Sequence, residues 1–565
     1  MEVLDALSSN ELPLGAIKPL GWYKDLLRLQ ADNFSGVLDD HWDSVGRYSG
    51  WLGGTGDDWE RGPYYLDGLY PLASLLDDRA LIDKAWKWVE WTLNSQRENG
   101  DFGPGKNKDY WPRMVMLKVL MQYHEATSDE RVLVFMDRYA EFLIDSIPTV
   151  PLSDWSKARG GELILWLYWL YERRQKLTYL VLAKVVYGQT LDWYSFFIDF
   201  PLTRATSFYL DWESIIAHYK AQEIIRLPQF LFSHVVNVAM GLKTATLYSR
   251  QSHDPLQKNS IKVAIDHLMR YHGVANHLFT GDEHLDGRGP SQGTELCAVV
   301  EYMFSLESVL GYFDTTWAVD SLEVLAFNGL ASTISADFRS HQYLQQANQV
   351  EVSRARRKWF NNNEESNLFG LEPNFGCCTA NLHQGWPKLA KACWRTTPDG
   401  GLAAFVYAPT VLETFLPQGG KIKIITRTQY PFDEDVFFTI HTDSKSSFPL
   451  KFRIPSWCQG AMLETPYGIF ADNEPGTWTE VRAAWKNGDA VRLRLPMVPS
   501  CTFWEADSVN IEYGPLIFAL QMDERWNKIG GYSAFPDWEI TSPTPWNYAL
   551  GLDENRRLSD FEVIK

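Results

Sequence analysis

Apolar residues recur with a helical period along the first two thirds of the chain. Leu81, Ala85, Trp88, Val89, Thr92 and Leu93 fall at i, i+4, i+7, i+8, i+11 and i+12, which predicts an amphipathic helix ended by Asn99-Gly100. After the starter Ser128-Asp129-Glu130, the stripe returns as Val132, Phe135, Met136, Tyr139, Phe142 and Leu143. Polar joints at Leu76-Asp77-Asp78-Arg79 and Thr127-Ser128-Asp129-Glu130 stand about fifty residues apart, and similar joints recur near Tyr171-Glu172-Arg173-Arg174 and Leu247-Tyr248-Ser249-Arg250. Helix, short turn, helix at that period predicts a solenoid or a closed ring of hairpins with its loops around a central pocket. The first sixty or so residues mix short helical stretches with loops, ending in the glycine-rich Trp51-Leu52-Gly53-Gly54-Thr55-Gly56.

Near residue 395 the pattern changes to period two. Lys421-Ile422-Lys423-Ile424-Ile425-Thr426, Val436 to Ile440, Leu450 to Pro455 and Val491 to Leu495 are short β-rich runs between turn residues, and together they predict a β-sandwich. The boundary falls between roughly 395 and 410, giving a helical domain over 1–400 and a β-sandwich domain over 401–565. The last thirty residues, with Pro536, Pro543 and Pro545, read as irregular.

Composition narrows the function classes. At 565 residues the chain exceeds what one core accommodates. A net charge of -18 argues against nucleic acid or an anionic membrane as partner. With no basic-apolar leader at Met1-Glu2-Val3-Leu4-Asp5, no long apolar run and six cysteines, the chain reads as cytoplasmic, or secreted if its N-terminus is incomplete. The 24 Trp, 26 Tyr and 30 Phe fit both a large helical core and sugar-stacking surfaces.

Two pieces carry the strongest chemistry. Gly293-Thr294-Glu295-Leu296-Cys297 and Phe375-Gly376-Cys377-Cys378-Thr379 hold three of the six cysteines. Glu295, Cys297, Cys377 and Cys378 make a carboxylate and three thiolates, a set suited to tetrahedral Zn2+. Just upstream, the turn-rich Thr280 to Pro290 offers Asp282, Glu283 and Asp286 as candidate proton donors. Asp57-Asp58-Trp59-Glu60-Arg61-Gly62-Pro63-Tyr64-Tyr65 combines acids and rings as a sugar subsite would, with Asp58, Trp59 and Arg61 as candidate contacts. His234 and Asn237 lie one turn apart on an apolar helix, Phe232 to Met240. No Walker loop, His-Glu-x-x-His or G-x-S-x-G is present.

With Arg453-Ile454-Pro455-Ser456-Trp457 added, these two cysteine motifs resemble glycoside hydrolase family 127, formerly a domain of unknown function, over most of residues 40 to 520. The resemblance implies a catalytic (α/α)6 barrel followed by a β-sandwich, and a retaining exo-glycosidase acting on β-L-arabinofuranosides or related sugars. It implies Glu295, Cys297, Cys377 and Cys378 as zinc ligands, Cys377 as nucleophile and Glu283 as acid/base, and it matches His234 to a family histidine. A second family histidine is missing at Asp109-Tyr110-Trp111-Pro112-Arg113, so Arg113 or Arg61 is a candidate partner for an acidic, pectin-derived sugar. The chain ends soon after the β-rich stretch where relatives continue, the mark of a shortened C-terminus. Two alternatives stay open: a non-catalytic sugar-binding or scaffold protein with a structural zinc, and another (α/α)6 enzyme such as an unsaturated uronyl hydrolase or lyase. Oligomeric state is not legible.

Overall fold

The computed structural model describes residues 3–210, 228–359, 362–552 and 561–564. Met1 and Glu2, where the leader reading begins, lie outside them.

Six helical segments pack side by side into a closed ring: Arg61–Leu75, Trp111–Thr127, Gly161–Arg174, Val235–Gly241 with Thr244–Ser252, Leu296–Val309, and Gly376–Asn381 with Gly385–Leu389, which returns to the first. These helices are apolar and buried on nearly all sides, as expected of inner staves. Arg79–Asn94, Glu130–Ser146, Leu177–Gln189, Pro255–His272 and Trp317–Val324 each pack against the inner helix they follow. Gly21–Gln30 covers the last, its Tyr23 hydroxyl donating to the Trp386 carbonyl at 2.6 Å. The outer helices carry the one-sided stripes seen in the sequence: Leu81, Ala85, Trp88, Val89 and Thr92 are the buried face of Arg79–Asn94. Asp78 and Asp129 cap these helices through hydrogen bonds to backbone N–H groups. The resulting (α/α)6 barrel is the closed form of the expected ring.

The barrel axis is filled by charge as well as by apolar packing. Lys118, Lys243 and Lys388 surround the Phe304 ring at 4.4, 5.2 and 4.1 Å. Lys243 pairs with Glu162 at 2.5 Å and Lys388 with Asp67 at 2.6 Å, all four side chains being nearly fully buried. Lys118 shares both carboxylates, 3.3 Å from Asp67 and 3.5 Å from Glu162, and the layer survives burial because every ammonium faces a carboxylate.

The β-rich part is a sandwich. One sheet has the strand order Asn10–Glu11, Trp394–Thr396, Leu402–Ala404, Phe448–Ile454, Thr477–Ala483. The other runs Gly468–Asn473, Ala461–Thr465, Asp489–Arg494, Asp435–Thr442, Lys421–Thr428, Thr410–Phe415, Ile17–Pro19. Ile422, Ile424, Val436, Phe438, Ile440, Val491 and Leu493 alternate inward, and Phe438 meets Phe452 of the facing sheet at 5.1 Å. Each sheet borrows an edge strand from the N-terminus, two or three residues long and too short to leave a periodic signal.

Arg453, in the Arg-Ile-Pro-Ser-Trp motif, ties the sandwich to the barrel. Its fully buried guanidinium pairs with Glu323 at 2.5 Å and with Asp320, both on helix Trp317–Val324, and donates to the Phe405 carbonyl at 2.7 Å. Tyr430 donates to the second Glu323 oxygen at 2.6 Å. Arg453→Ala leaves two carboxylates without their cation and is expected to cost about 3–5 kcal/mol, read as a fall in the denaturant midpoint. A loss under ~1 kcal/mol would mean that the cluster is no strut.

Three expectations need correction. The helix through Leu93 ends at Asn94, before Asn99-Gly100, because Ser95 and Gln96 turn back onto neighbouring carbonyls. The stretch Phe232 to Met240 is not one helix: Pro228–Ser233 stops, and extended His234 caps a new helix, Val235–Gly241. The C-terminal stretch is also not wholly irregular. Pro536–Thr541 pairs with Arg525–Gly531, and Trp538 and Ile540 bridge to Phe369 and Val352 of the helical part. Proline is tolerated there as the first residue of its strand.

Candidate active site

The first turns of the inner helices converge at one end of the barrel, and the candidate residues lie among them. Glu295 ends the strand Gly293–Glu295, held in register by Gln346 and Leu344, and caps helix Leu296–Val309 without spending its side chain on the cap. Cys297 follows in the first turn. Cys377 and Cys378 occupy the first turn of Gly376–Asn381. Gly376 is required before them, since a Cβ there would lie 2.5 Å from both Glu372 Oε1 and the Trp42 ring.

Glu295, Cys297, Cys377 and Cys378 bring one donor atom each to within 4.8 Å of one another. Cys378 Sγ is 3.9 Å from Glu295 Oε1, while Glu295 Oε2 is buried with no hydrogen-bond partner among the described residues. Burial and mutual repulsion push Glu295 and the Cys297 and Cys378 thiols well above their ordinary values. Cys377 is driven well below its own, because the other two thiols and Tyr343 hydrogen-bond to it. Four acidic groups so placed cannot all ionise without a cation, and three sulfurs with one carboxylate form a soft donor set that fits a metal ion. Helix N-termini pointing into the site add favourable potential for the anionic forms. Three of the four donor residues are buried, and Cys377 alone is partly accessible.

Glu283 stands beside this cluster. It is 7 % exposed, and Tyr343 Oη lies 2.9 and 2.8 Å from its two carboxylate oxygens. Burial, then the negative charge of Cys377, raises its pKa to about 8. Its backbone holds φ at 91°, a strained conformation for a residue with a Cβ. The strain is held by the Glu283 carbonyl accepting from Val235 N at 2.9 Å and by Leu285 N donating to the Ser233 carbonyl at 3.0 Å. Asp286 is also raised, to about 7 by burial.

The remaining wall combines Glu60, from the stretch Asp57 to Tyr65, with residues that the sequence did not single out. Glu60 accepts from Arg159 at 3.2 Å and from the Trp111 indole, and it is close enough for the Cys377 charge to raise its pKa. Arg159 lies over the rings of Trp111 and Trp155 at 4.3 and 4.7 Å and donates to Asn237 Oδ1 at 2.8 Å. His234 packs edge-on to Trp155 at 5.0 Å and to His284 at 5.6 Å, and burial keeps it neutral. Neither Arg159 nor Tyr343 sits in a motif, while Glu60 belongs to the stretch Asp57 to Tyr65; the fold brings all three to Cys377.

The other expected contacts are engaged elsewhere. Arg113 is buried, doubly bound to Asp101 at 2.8 and 3.3 Å, and donates to the carbonyls of Asn107 and Asp109. Arg61 donates to Ser44 at 2.8 Å and faces Asp57 and Glu372, each at 3.7 Å. Asp58 and Trp59 are half-buried in the loop before the first inner helix, the Trp59 carbonyl accepting from the Trp51 indole at 2.7 Å. Among the described residues no helix is long and apolar enough to cross a membrane.

The same organisation recurs in known proteins. Residues 65–391 match the β-L-arabinofuranosidase GH127 catalytic domain and residues 401–497 the GH127 middle domain. A solved structure named only as a glycoside hydrolase superposes with a TM-score of 0.69 at 13% identity, covering 95% of each chain. A GH127 β-L-arabinofuranosidase from Geobacillus stearothermophilus gives 0.66 at 16% identity, over 97% of this chain and 95% of its own. Another GH127 β-arabinofuranosidase gives 0.66 at 13% identity, over 95% of each chain. A search of curated proteins by sequence finds no match. With the catalytic-domain match spanning more than half of its residues, the chain belongs to glycoside hydrolase family 127.

Proposed function

We propose that the chain is a retaining exo-glycosidase for β-L-arabinofuranosides or closely related pentose-type sugars, with Cys377 as nucleophile and Glu283 as acid/base. The observation that carries this reading is the meeting of the one accessible thiol of a four-donor cluster with a buried, proton-holding carboxyl. Glu295, Cys297, Cys377 and Cys378 would hold zinc, whose chemistry is to keep the Cys377 sulfur deprotonated at neutral pH. Protonated Glu283 gives its proton to the leaving oxygen as Cys377 Sγ attacks the anomeric carbon, forming C–S and breaking C–O. Ionised Glu283 then takes a proton from water, which attacks the same carbon and breaks C–S. Two displacements retain configuration, as in the two-carboxylate scheme. Tyr343, donating to Glu283, favours the ionised form that activates water in the second step.

The Glu60–Arg159 pair, Asn237 and the uncharged His234 offer the sugar a charge-balanced, hydrogen-bonding wall. With Arg113 and Arg61 committed to neighbours and Arg159 paired with Glu60, a neutral furanoside suits this wall better than an acidic sugar.

The test is hydrolysis of 4-nitrophenyl β-L-arabinofuranoside, with the product's configuration followed by NMR, alongside metal analysis. About one zinc per chain is expected, lost with activity in Glu295→Ala and on chelation. If the metal-loaded protein cleaves neither furanosides nor acidic pectic sugars, the sugar-binding alternative takes over. Turnover insensitive to chelators and thiol alkylation would point instead to a uronyl hydrolase or lyase.

A further inference from the structure

At the end of the barrel away from Cys377, the inner helices finish around a cavity of about 280 Å³. The Asp67, Glu162, Lys118 and Lys388 layer separates it from the catalytic end, with Lys118 and Lys388 in its wall. Asn10, Glu11 and Leu12 of the N-terminal segment line it too.

The polar groups of this wall largely satisfy one another. Lys391 pairs with Glu11 and Glu125, each at 2.9 Å, and Arg250 with Glu172 at 2.9 Å. Lys388 is held by Asp67 at 2.6 Å, and Arg395 faces Glu11 at 3.7 Å. Arg173, also in the wall, is held by the Trp169 ring at 3.7 Å and the Trp169 carbonyl at 3.1 Å, so an ionic ligand would have to break one of these contacts to find a counter-charge.

Two acceptors are left over. Gln122 donates through Nε2 to Asp67 at 2.7 Å, but its Oε1 is buried and has no hydrogen-bond partner among the described residues. Glu307 Oε1, on helix Leu296–Val309, is in the same state. Both side chains belong to residues more than nine-tenths buried, both line the cavity, and buried acceptors of this kind are costly unless something donates to them. Burial raises the Glu307 pKa to about 8, so its carboxyl can donate as well as accept at neutral pH. The rings of Tyr168, Trp169 and Tyr312 supply flat apolar surface between these groups.

We propose that this cavity is a second binding site, separate from the catalytic one, for a neutral monosaccharide. Hydroxyls donate to Gln122 and Glu307, ring C–H faces lie on the aromatic walls, and the absence of net charge spares the ion pairs. The volume is at the small end of the ~300–1,000 Å³ of ligand sites, enough for one ring and its hydroxyls. The inference does not depend on the reading of Cys377.

The test is calorimetric titration of the whole chain with L-arabinose and with D-galactose. Wild type is expected to bind at least one of them, Gln122→Leu to weaken that binding about ten-fold or more, and Ser308→Trp, which fills the cavity without touching an ion pair, to abolish it. Crystals of the wild type soaked in the same sugar should show it against Gln122 and Glu307, a readout that needs no variant to fold. Neither sugar binding, binding unchanged in the folded variants, or only ordered water in the soaked cavity overturns the proposal.

Discussion

Cys377→Ser is expected to reduce hydrolysis of an activated arabinofuranoside by about four orders of magnitude or more, the scale on which loss of a covalent nucleophile acts. Serine keeps the size and most of the polarity of the thiol, and position 377 is the least buried of the four donors, so the first turn of Gly376–Asn381 has little reason to change. What changes is the nucleophile: the surroundings that hold the Cys377 thiol well below its ordinary pKa cannot bring a hydroxyl into its ionised form near neutral pH. Cys378→Ser is the informative contrast. Cys378 is fully buried against Glu295, so its substitution should lower metal content and melting temperature together. A purely structural metal predicts the reverse for position 377, a variant with its former activity or none lost beyond the unfolded fraction. Alkylation of the wild type by a sugar-bearing haloacetamide, followed by peptide mass mapping, should place the label on Cys377 alone.

How early this site could be read follows from the rarity of its atoms. Three of six cysteines stand at two short motifs, and soft donors are scarce enough that their grouping carries information before any fold is known. The barrel was legible for a related reason, since its outer helices expose one face and so carry one-sided stripes at Leu81 to Leu93 and Val132 to Leu143. The inner helices have no polar face, and their period fades. Arg159 and Tyr343 were hidden because each is an ordinary residue type whose meaning lies in contacts between segments far apart in the chain, whereas Glu60 fell within the acid- and ring-rich stretch Asp57 to Tyr65. Arg113 misled in the opposite sense. A charge is visible in sequence, but its partner Asp101, in the loop that the arginine clamps, is not. The N-terminal edge strands were invisible because two residues of strand are specified by the sheet they join.

Glu283→Gln separates the two chemical steps. Against a substrate with a poor leaving group, loss of the proton donor should reduce kcat/KM by about 10²–10⁴-fold. Against 4-nitrophenyl β-L-arabinofuranoside, whose phenolate needs little protonation, attack by Cys377 should survive while water, lacking its base, reacts slowly with the thioglycosyl enzyme. The expected signature is a burst of nitrophenolate, a fall in both kcat and KM, and recovery of turnover by azide with a retained glycosyl azide as product. The pH profile supplies an independent check. Burial and the Cys377 charge raise the Glu283 pKa to about 8, so the carboxyl holds its proton below that value and loses it as pH rises through it. The protonated form drives the first step, so wild-type kcat/KM should decline on the alkaline side, and charge neutralisation at Cys377 would bring that decline to lower pH. The variant, with nothing to titrate at this position, should keep its rate on the activated substrate across the same range. Tyr343→Phe removes the hydroxyl that favours the ionised carboxylate and should shift the wild-type limb upward in pH. An unchanged alkaline limb in Glu283→Gln would transfer the acid/base role to another carboxyl, with Asp286, raised to about 7, the first to substitute.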